Sequence, residues 1–450
     1  MTASDASHKT TKHYMVTLTN IIEERNLLLA CSQVMSNDGA PGIDGMNAED
    51  LYKYLVNNWK ELQVSVMEGK YRPESVRRVE IPKPNGGVRN LGIPTVVDRM
   101  LQQAIAQELD KEYDATFSST SYGFRKGRSA HDALNQATEY LNSGLTYIVE
   151  IDLEKFFDRV NHDKLMYLLS KRIMDKGVLR LIRRYLESGV MENGVVRRNE
   201  EGTPQGGNLS PILSNIMLDE LDKELEQRGH KFVRYADDIS IFAGSQRAAE
   251  RILESVTEWL EKRLKLKVNR EKSGIRRPSK GNLLGFGFWH AQGGEIRPRV
   301  SEKSYTRLKE KLKRFTSRSW SVSMETRVIK INQLTRGWVN YFARADARTR
   351  LGRIDEWLQA RLRMCIWKQW KKVRTRIANL KKLGVNAQKA YEWGNTRKGY
   401  WRTAHSPILQ TTITNERLKQ KGYVPTVETY TLRRKTLMNR RDTRTVRPVV

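Results

Sequence analysis

A chain of 450 residues, 38% of them hydrophobic, is long enough to form two or three domains with proper cores. Its formal net charge of +30 argues against an ordinary enzyme of small metabolites and indicates a polyanionic partner, RNA or DNA. Two cysteines cannot supply a zinc site built on cysteine pairs, and no stretch is apolar enough for a signal peptide or a membrane span. We therefore expect a globular protein of a reducing, intracellular compartment.

The first 290 residues mix strand and helix signals without regular alternation, which favours an α+β fold over a doubly wound parallel sheet. Short apolar runs predict three strands, at 147–151, 232–236 and 239–242. A serine before a helical pattern predicts two amphipathic helices, one capped by Ser210 and one capped by Ser245.

Helical periodicity dominates the last third of the chain. Apolar residues over 351–366 follow one face of a long helix, and the segments 304–315 and 324–342 complete a predicted helical bundle. From about Leu383, glycines and prolines predict shorter elements and loops. We expect the Arg-rich tail from Arg433 to be partly disordered without RNA.

Charge is divided unevenly along the chain. Residues 1–290 carry a net charge of +2, whereas residues 291–450 carry +28 and hold seven of the ten Trp. Interleaved cations and aromatic rings are typical of a surface that binds a phosphate backbone and stacks bases. The alternative is a solvated helical region whose Trp residues are core, and we favour core for most of them because Trp is usually buried.

Three aspartates are candidates for the chemistry. Asp237 and Asp238 join two predicted strands, and Asp152 ends a third, so a sheet can bring the three together. Crowded carboxylates repel one another unless cations are present, and Mg²⁺ prefers such hard oxygen ligands. Two ions held there would suit an in-line phosphoryl transfer. An Asp-Asp pair in a turn is common, so this pair alone does not identify a function, and the surrounding segments are needed for that.

Six segments carry a resemblance to a known family. Tyr235-Ala-Asp-Asp238, with Asp152 upstream, resembles the catalytic palm of reverse transcriptases. The neighbouring segments are similar to those of group II intron-encoded members and follow the family's order. They are NDGAPGIDG (37–45), IPKPNGGVRNLGIP (81–94), YGFRKGRS (122–129), GTPQGGNLSP (202–211) and LGFGF (284–288).

The resemblance implies a right-hand polymerase whose fingers and palm, with an antiparallel sheet and an N-terminal extension, occupy residues 1–295. A helical thumb over 296–382 and a small basic RNA-binding maturase domain over 383–450 would follow. The segment 334–342 is similar to the thumb signature, and 395–430 resembles the region that binds the protein's own intron RNA. The implied function is RNA-directed DNA synthesis together with support of intron splicing and mobility.

The resemblance also implies roles for the acidic residues. Asp152 and Asp237 would bind two Mg²⁺ ions, for which Mn²⁺ is a possible substitute. The Leu153 carbonyl would assist them, and Asp238 would be the supporting acid.

Further residues would bind substrates. Lys83 and Arg89 flank a turn signal and would bind the triphosphate of a deoxynucleotide, unless that hairpin is merely solvated. Phe156 would lie under the incoming sugar and exclude a 2′-hydroxyl, although a lone aromatic is more often core. Gln205 would approach the template or the nucleotide, unless its neighbouring glycines merely shape a turn.

Two further groups would contact the nucleic acid strands. Arg125 and Arg128 would contact template phosphates. Leu284, Gly285 and Phe286 would steady the primer end.

The implied partners are intron RNA, an RNA template, a DNA primer and deoxynucleotides, with no membrane partner and with dimerisation left open. The expected location is the bacterial cytoplasm, with association to the nucleoid during mobility. Many relatives end in a DNA-binding segment and an endonuclease domain. We expect this chain to be of the compact group IIC type that lacks them and to use nascent strands at replication forks as primers.

Three other functions remain open at this point. An RNA-templated RNA polymerase would share the aspartates, but Phe156 argues against it. A splicing factor with a vestigial polymerase is disfavoured by the intact aspartates. A domesticated reverse transcriptase that acts in defence or repair would have the same chemistry but no intron, and the sequence distinguishes it poorly from an intron-encoded one.

Overall fold

The computed structural model describes residues 14–82, 87–192, 195–197, 201–203 and 206–445. The chain forms two compact units, Met1–Arg277 and Pro278–Val450, which we call the N-terminal and C-terminal units. The finer division into 1–295, 296–382 and 383–450 stays a prediction.

The N-terminal unit mixes helices with two sheets. Its helices are α1 (Leu18–Ile21), α2 (Glu24–Asn37), α3 (Leu51–Met67), α4 (Val96–Tyr113), α5 (Ala130–Asn142), α6 (His162–Ser170), α7 (Lys176–Glu187), α8 (Ser210–Gln227) and α9 (Gln246–Trp259). Its strands are β1 (Val76–Pro82), β2 (Val88–Ile93), β3 (Tyr147–Ile151), β4 (Val190–Glu192), β5 (Val195–Arg197), β6 (Lys231–Tyr235), β7 (Asp238–Ala243) and β8 (Gly274–Arg276).

The C-terminal unit is mainly helical. A β-hairpin opens it, formed by β9 (Phe286–His290) and β10 (Ile296–Val300). The helices are α10 (Glu302–Phe315), α11 (Met324–Phe342), α12 (Arg348–Gln369), α13 (Val373–Lys382), α14 (Ala387–Gly394), α15 (Tyr400–Ala404), α16 (Pro407–Thr412), α17 (Asn415–Gln420) and α18 (Thr426–Thr445).

The central sheet has the strand order β6-β7-β3-β8, and every pairing in it is antiparallel. Helix α9 packs against β3, β7 and β8, while α5 and α8 contact β6. Strand β7 is buried from Ile239 to Ala243, because helices cover the sheet and its apolar residues face them. The mixed helix-and-sheet fold and the three predicted strands are confirmed.

A second sheet, of order β2-β1-β4-β5, belongs to the same unit. Strands β1 and β2 form an antiparallel hairpin in which Ile81 pairs with Arg89, and β1 pairs in parallel with β4. The turn of this hairpin, residues 83–86, lies outside the described residues.

Both predicted serine-capped helices form, with one difference. The Ser245 hydroxyl accepts a hydrogen bond from the Ala248 amide at 3.2 Å and caps α9 as expected. Helix α8 instead includes Ser210 as its first residue, with Leu209 in the cap position. Pro211 suits the first turn of a helix, so the start is displaced by a single residue.

The C-terminal unit departs from prediction at both ends. Strand β10 was not predicted, because arginines and a proline interrupt its apolar pattern although Ile296 and Val300 are buried. Helix α18 continues to Thr445, although shorter elements and loops were expected from Leu383 on, and partial disorder of the tail without RNA stays a prediction. Its first turn is anchored by Asp355 of α12, which accepts hydrogen bonds from the Thr426 and Val427 amides at 2.8 and 2.9 Å.

The seven tryptophans of residues 291–450 correct in part the preference for core positions. Of the seven, Trp367 is fully buried and Trp401 is exposed. The other five are partly buried, so most of these rings are neither enclosed in the core nor fully exposed: Trp320, Trp338, Trp357, Trp370 and Trp393.

Each unit holds one free, buried cysteine, Cys31 in α2 and Cys365 in α12. Burial raises the pKa of both thiols above the usual range. Among the described residues, no helix combines the length and apolar character needed to cross a bilayer.

Candidate active site

The ends of β3 and β7 bring the three aspartates together. Ile151 pairs with Ile239 in the antiparallel ladder, so the next residue along, Asp152, lies across from Asp238. Tyr235 pairs with Asp238, which leaves Ala236 and Asp237 as a two-residue turn. Asp152, Asp237 and Asp238 therefore lie at one end of the central sheet, where the sequence predicted them.

Asp238 shows the electrostatic strain of this arrangement. The surrounding protein reduces the hydration of its carboxyl group, although the residue keeps access to solvent, and the carboxylates of Asp237, Asp152 and Glu150 lie nearby. Reduced hydration first, and then these negative charges, raise the pKa of Asp238 to about 6. A cation bound between the carboxylates would relieve this repulsion.

The loop 267–273 fixes the backbone of Asp152. The Asp152 amide donates to the Ser273 hydroxyl at 3.0 Å, and its carbonyl accepts from the Asn269 amide at 2.8 Å. Its carboxylate lies 3.5 Å from the Lys272 ammonium. Leu153 follows in an isolated bridge with Val268, which fixes the strand extension that carries the carbonyl predicted to assist the metal ions.

A buried arginine supports the aspartate turn from behind. The Arg234 side chain has no exposed surface and forms a bidentate ion pair with Asp222 of α8, with atoms 2.5 to 2.9 Å apart. It also donates to the Ala236 carbonyl at 3.1 Å and to the Asn215 side chain at 2.9 Å. Since Ala236 has a positive φ of 58°, this bond stabilises a backbone conformation that alanine rarely adopts.

Gly123 contacts the other side of the same turn. Its carbonyl accepts from the Asn215 amide group at 3.0 Å, and a Cβ atom placed on it would lie 2.2 Å from the Ala236 nitrogen. Only glycine allows this approach of two backbones. The segment 122–129 therefore shapes the aspartate turn.

Sequence reasoning missed the supporting residues Arg234, Asp222 and Asn215. One signal was available, because an arginine inside the apolar run 232–236 requires a buried partner. Which acid it would pair with was not readable, since Asp222 precedes it by a helix turn and a loop.

Arg125 requires a correction. Its side chain is only 5% exposed and donates to the Asp114 carboxylate and carbonyl, both at 2.7 Å. The same guanidinium also donates to the carbonyls of Ser118 and Ser121. These bonds use four of the five N–H donors of a nearly buried side chain, so Arg125 holds the 114–121 turn rather than a template phosphate. Arg128 packs over the Tyr122 ring at 5.6 Å, and its template role stays a prediction.

Phe156 lies in the core, which was the alternative interpretation. It is 2% exposed and contacts Phe157 edge to face at 5.1 Å between ring centres. Lys155, which precedes it, has a positive φ of 49°, so the chain bends sharply there. Selection against a 2′-hydroxyl stays a prediction.

Two predicted nucleotide-binding residues, Lys83 and Gln205, lie outside the described residues. The backbone of Arg89 pairs in β2, but its side chain is not among the described atoms.

The segment Leu284 to Phe286 belongs to the C-terminal unit. The Leu284 carbonyl accepts from the Tyr341 hydroxyl and the Gly285 carbonyl from the Ser304 hydroxyl, both at 3.0 Å. Phe286 is fully buried against Phe342 of α11, with ring centres 4.9 Å apart.

The aspartates suit a divalent cation that is completed by substrate. Among the described residues, no three acidic, histidine or cysteine side chains form a ready-made metal cage. Mg²⁺ is commonly bound by one or two carboxylates together with substrate phosphates and water, so a full protein cage is not required.

Two family profiles match this chain. The profile described as "Reverse transcriptase (RNA-dependent DNA polymerase)" matches residues 81–288, and that of the "Group II intron, maturase-specific domain" matches residues 305–384. "Protein YkfC" of Escherichia coli (strain K12) is 34% identical over 290 residues, which cover 56% of this chain and 76% of YkfC. The chain belongs to the group II intron reverse transcriptases. This reverse transcriptase contains a polymerase domain and a maturase-specific domain.

Other relatives match this reverse transcriptase over shorter shares of their length. "Group II intron-encoded protein LtrA" of Lactococcus lactis subsp. cremoris is 37% identical over 46% of this chain and 34% of LtrA. The "Putative COX1/OXI3 intron 2 protein" of Saccharomyces cerevisiae is 29% identical over a match that covers 58% of this chain and 37% of the yeast protein. The chain thus spans about a third of these two relatives.

Among solved structures, the "Partial Cas6-RT-Cas1–Cas2 complex" matches 54% of this chain and 42% of its own, at 25% identity and a TM-score of 0.36.

Proposed function

We propose that the protein is an RNA-directed DNA polymerase that extends a DNA primer on an RNA template, and that it binds its own group II intron RNA to promote splicing and mobility. The convergence of Asp152, Asp237 and Asp238 at one end of the central sheet supports the polymerase function. The maturase-specific match and the +28 charge of residues 291–450 support the second function.

In this proposal the two units correspond to the parts of a right-hand polymerase. The central sheet with α5, α8 and α9 is the palm, and the β1–β2 hairpin belongs to the fingers. Helices α10 to α12 are the thumb, and residues 383–450 form the RNA-binding maturase domain.

Asp152 and Asp237 would hold two Mg²⁺ ions, or Mn²⁺ as a substitute, with the Leu153 carbonyl assisting and Asp238 as the supporting acid. When bound, such ions stabilise both the attacking 3′-oxygen and the departing pyrophosphate. The protein itself contributes by fixing the positions of the carboxylates. Arg234 and Gly123 hold the turn that carries Asp237, and the loop 267–273 holds Asp152. The carboxylates are thus fixed before substrate arrives.

Substrate contacts in the proposal come from separate segments. Lys83, Arg89 and Gln205 would bind the deoxynucleotide, and Phe156 would restrict the space for its sugar. Arg128 would contact the template. Leu284, Gly285 and Phe286 would steady the primer end.

The maturase function needs no protein chemistry. A basic surface that binds the active fold of an intron RNA more tightly than misfolded forms shifts the population toward the active fold. We place this activity in the bacterial cytoplasm, with association to the nucleoid during mobility, and leave dimerisation open.

Primer extension tests the polymerase proposal. Purified protein with Mg²⁺, a primed RNA template and deoxynucleotides should yield complementary DNA, and Asp237→Ala should reduce synthesis to background. Asp163→Ala removes an exposed acid of the same unit and is the matched control. Synthesis retained by Asp237→Ala would refute the assignment of the metal ligand.

Splicing in the same preparation separates the two functions. The protein should accelerate splicing of the intron RNA that surrounds its reading frame, and Asp237→Ala should do so equally, because RNA binding does not use the aspartates. Absence of any intron structure around the reading frame would remove the maturase function and leave the polymerase.

A further inference from the structure

A cavity of about 710 Å³ opens on the C-terminal unit, between the end of α10, the middle of α12 and α15. Among the described residues, four cations and two aromatic rings contribute to its wall, and no carboxylate does. The lining residues are Lys313, Ser317, Arg318, Arg361, Met364, Gly399, Tyr400, Trp401 and Arg402.

Carbonyl groups hold the innermost cation of this cavity. The Arg361 guanidinium donates to the carbonyls of Thr316 and Lys313, at 2.9 and 3.3 Å. Burial, with the nearby charges of Arg318 and Arg327, lowers the pKa of Arg361, but a guanidinium remains protonated in proteins. Bonds to carbonyls orient this charge without neutralising it, so the cavity keeps a positive potential.

The two aromatic rings of the cavity differ in the contacts they already make within the protein. Tyr400 already has the Arg318 guanidinium 5.2 Å and the Lys368 ammonium 5.1 Å from its ring centre. Trp401 has His405 against it edge to face at 4.2 Å, yet it is 41% exposed and lines the cavity. Large exposed indoles are uncommon on a stable surface, whereas they are typical platforms for an unstacked base.

We propose that this cavity binds one unpaired nucleotide of an RNA strand. Its base stacks on Trp401, and its phosphate lies among Lys313, Arg318 and Arg402. This inference rests on the proposed binding of intron RNA and names the RNA feature that the site selects. The cavity volume lies in the range of about 300–1,000 Å³ that is usual for small-ligand sites, so a nucleotide fits within it.

The chemistry favours a single-stranded position over a duplex. Bases of a paired helix are stacked on one another, so an indole can accept only a base that has left the stack, as in a bulge or loop. A cluster of cations without an acid recognises the phosphate whatever the base. The site therefore selects structure more than sequence.

Binding of two RNA hairpins tests the stacking part. Each hairpin is closed by a non-nucleotide linker in place of a loop, so the two probes differ only in one bulged nucleotide, and their affinities for the full chain are measured by fluorescence anisotropy. Trp401→Ala should weaken binding of the bulged hairpin by about five- to a hundredfold, the range expected for one base–aromatic stack. Binding of the fully paired hairpin should change by less than about twofold. Trp401→Phe should restore much of the preference for the bulge.

Two control variants make the readout specific. Tyr391→Ala removes another exposed ring of the same unit, 65% exposed and outside the cavity, and should preserve the preference for the bulge. Arg402→Ala and Arg374→Ala each remove one exposed arginine, but only Arg402 lines the cavity. At equal ionic strength, Arg402→Ala should weaken binding of the bulged hairpin more than Arg374→Ala does.

Matching DNA hairpins and primer extension complete the test. A bulged DNA hairpin bound as tightly as the RNA one, with the same dependence on Trp401, would overturn the assignment to RNA. Equal losses for bulged and paired RNA in Trp401→Ala would overturn the pocket itself. If wild-type protein binds bulged RNA selectively but extends no primer, the polymerase proposal fails and the pocket stands. If the wild-type protein extends the primer but shows no preference for bulged RNA, the pocket proposal fails and the polymerase proposal stands.

Discussion

A single buried guanidinium holds the carboxylate end of the central sheet. Arg234 pairs with Asp222, bonds Asn215 and supports the carbonyl of Ala236, all without contact to solvent. A buried pair of this kind adds little net stability relative to apolar residues, but removing one partner leaves a charge that nothing compensates. The pair therefore matters chiefly for where it holds the aspartate turn.

We predict that Asp222→Asn lowers the free energy of unfolding by about 3–5 kcal/mol, because it leaves the Arg234 charge buried and unpaired. Urea denaturation followed by circular dichroism measures the change. Asp163→Ala, which breaks an exposed ion pair with Arg183, should cost less than about 1 kcal/mol. Equal losses in both variants would contradict a special role for the buried pair.

A second prediction concerns Asp238 and pH. Its usual pKa of 3.8 is raised to about 6 in the folded protein, so between these values the folded state binds more protons than the unfolded chain. The free energy of unfolding then falls as pH rises through this window. Asp238→Asn removes this contribution, and in the presence of a metal chelator it should raise the melting temperature at pH 7.

The same comparison at pH 4 is the control for that variant, because a protonated Asp238 resembles asparagine. The stabilisation should shrink there, and also when Mg²⁺ is added to the wild type at pH 7. A stabilisation that is the same at pH 4 and pH 7 would show that Asp238 is not strained by its neighbours.

Residue roles were only partly predictable from the sequence. The three aspartates were found because each ends or begins an apolar run, and strand ends meet at the edge of a sheet. Arg125 was misassigned, because sequence shows that a cation is present but not that Asp114 and three backbone carbonyls use its donors. Burial of this kind depends on contacts that only the folded chain makes.

At the scale of elements, the hairpin β6–β7 and the segment 122–129 act as one device. Gly123 approaches the Tyr235–Ala236 backbone so closely that a single methyl group would displace the turn. The motif is thus structural support for the turn that carries Asp237 and Asp238, although more than a hundred residues separate it from them.

We predict that Gly123→Ala lowers kcat for primer extension by about a hundredfold, since a displacement of about 1 Å near reacting groups can have this effect. Steady-state kinetics with a saturating primed template measure it. Gly244→Ala is the matched control, because Gly244 has open space around it and no positive φ. Unchanged kcat in Gly123→Ala would show that the turn adapts to the added methyl group.

Strands and helices differed in how readily they could be predicted. Strands β3, β6 and β7 are apolar runs with polar ends, and α9 has a serine cap, so pattern sufficed. Strand β10 alternates apolar residues with arginine and proline and forms because β9 pairs with it. Tertiary partners of this kind override local propensity.

At the scale of the whole molecule, the excess positive charge and the aspartate site lie in different parts of the chain. Residues 1–290, which include the aspartate end of the central sheet, carry a net charge of +2, whereas residues 291–450 carry +28. The C-terminal region should therefore dominate affinity for RNA, and the N-terminal region should dominate chemistry.

This separation predicts steep salt dependence of RNA binding. If about six to ten phosphates are contacted, affinity should fall by about 10³ to 10⁵ between 50 and 200 mM salt. Anisotropy titrations at several salt concentrations give the slope of log affinity against log salt. A slope near zero would contradict a binding mode dominated by phosphates.

The two buried cysteines offer a practical consequence. Cys31 and Cys365 are each enclosed within a different compact unit, and both thiols resist ionisation. A maleimide dye should therefore label the native protein slowly and label each site only when its surrounding unit opens. Mass spectrometry of the labelled peptides would then report which of the two units opens first under heat or denaturant. No cysteine has to be introduced or removed for this experiment.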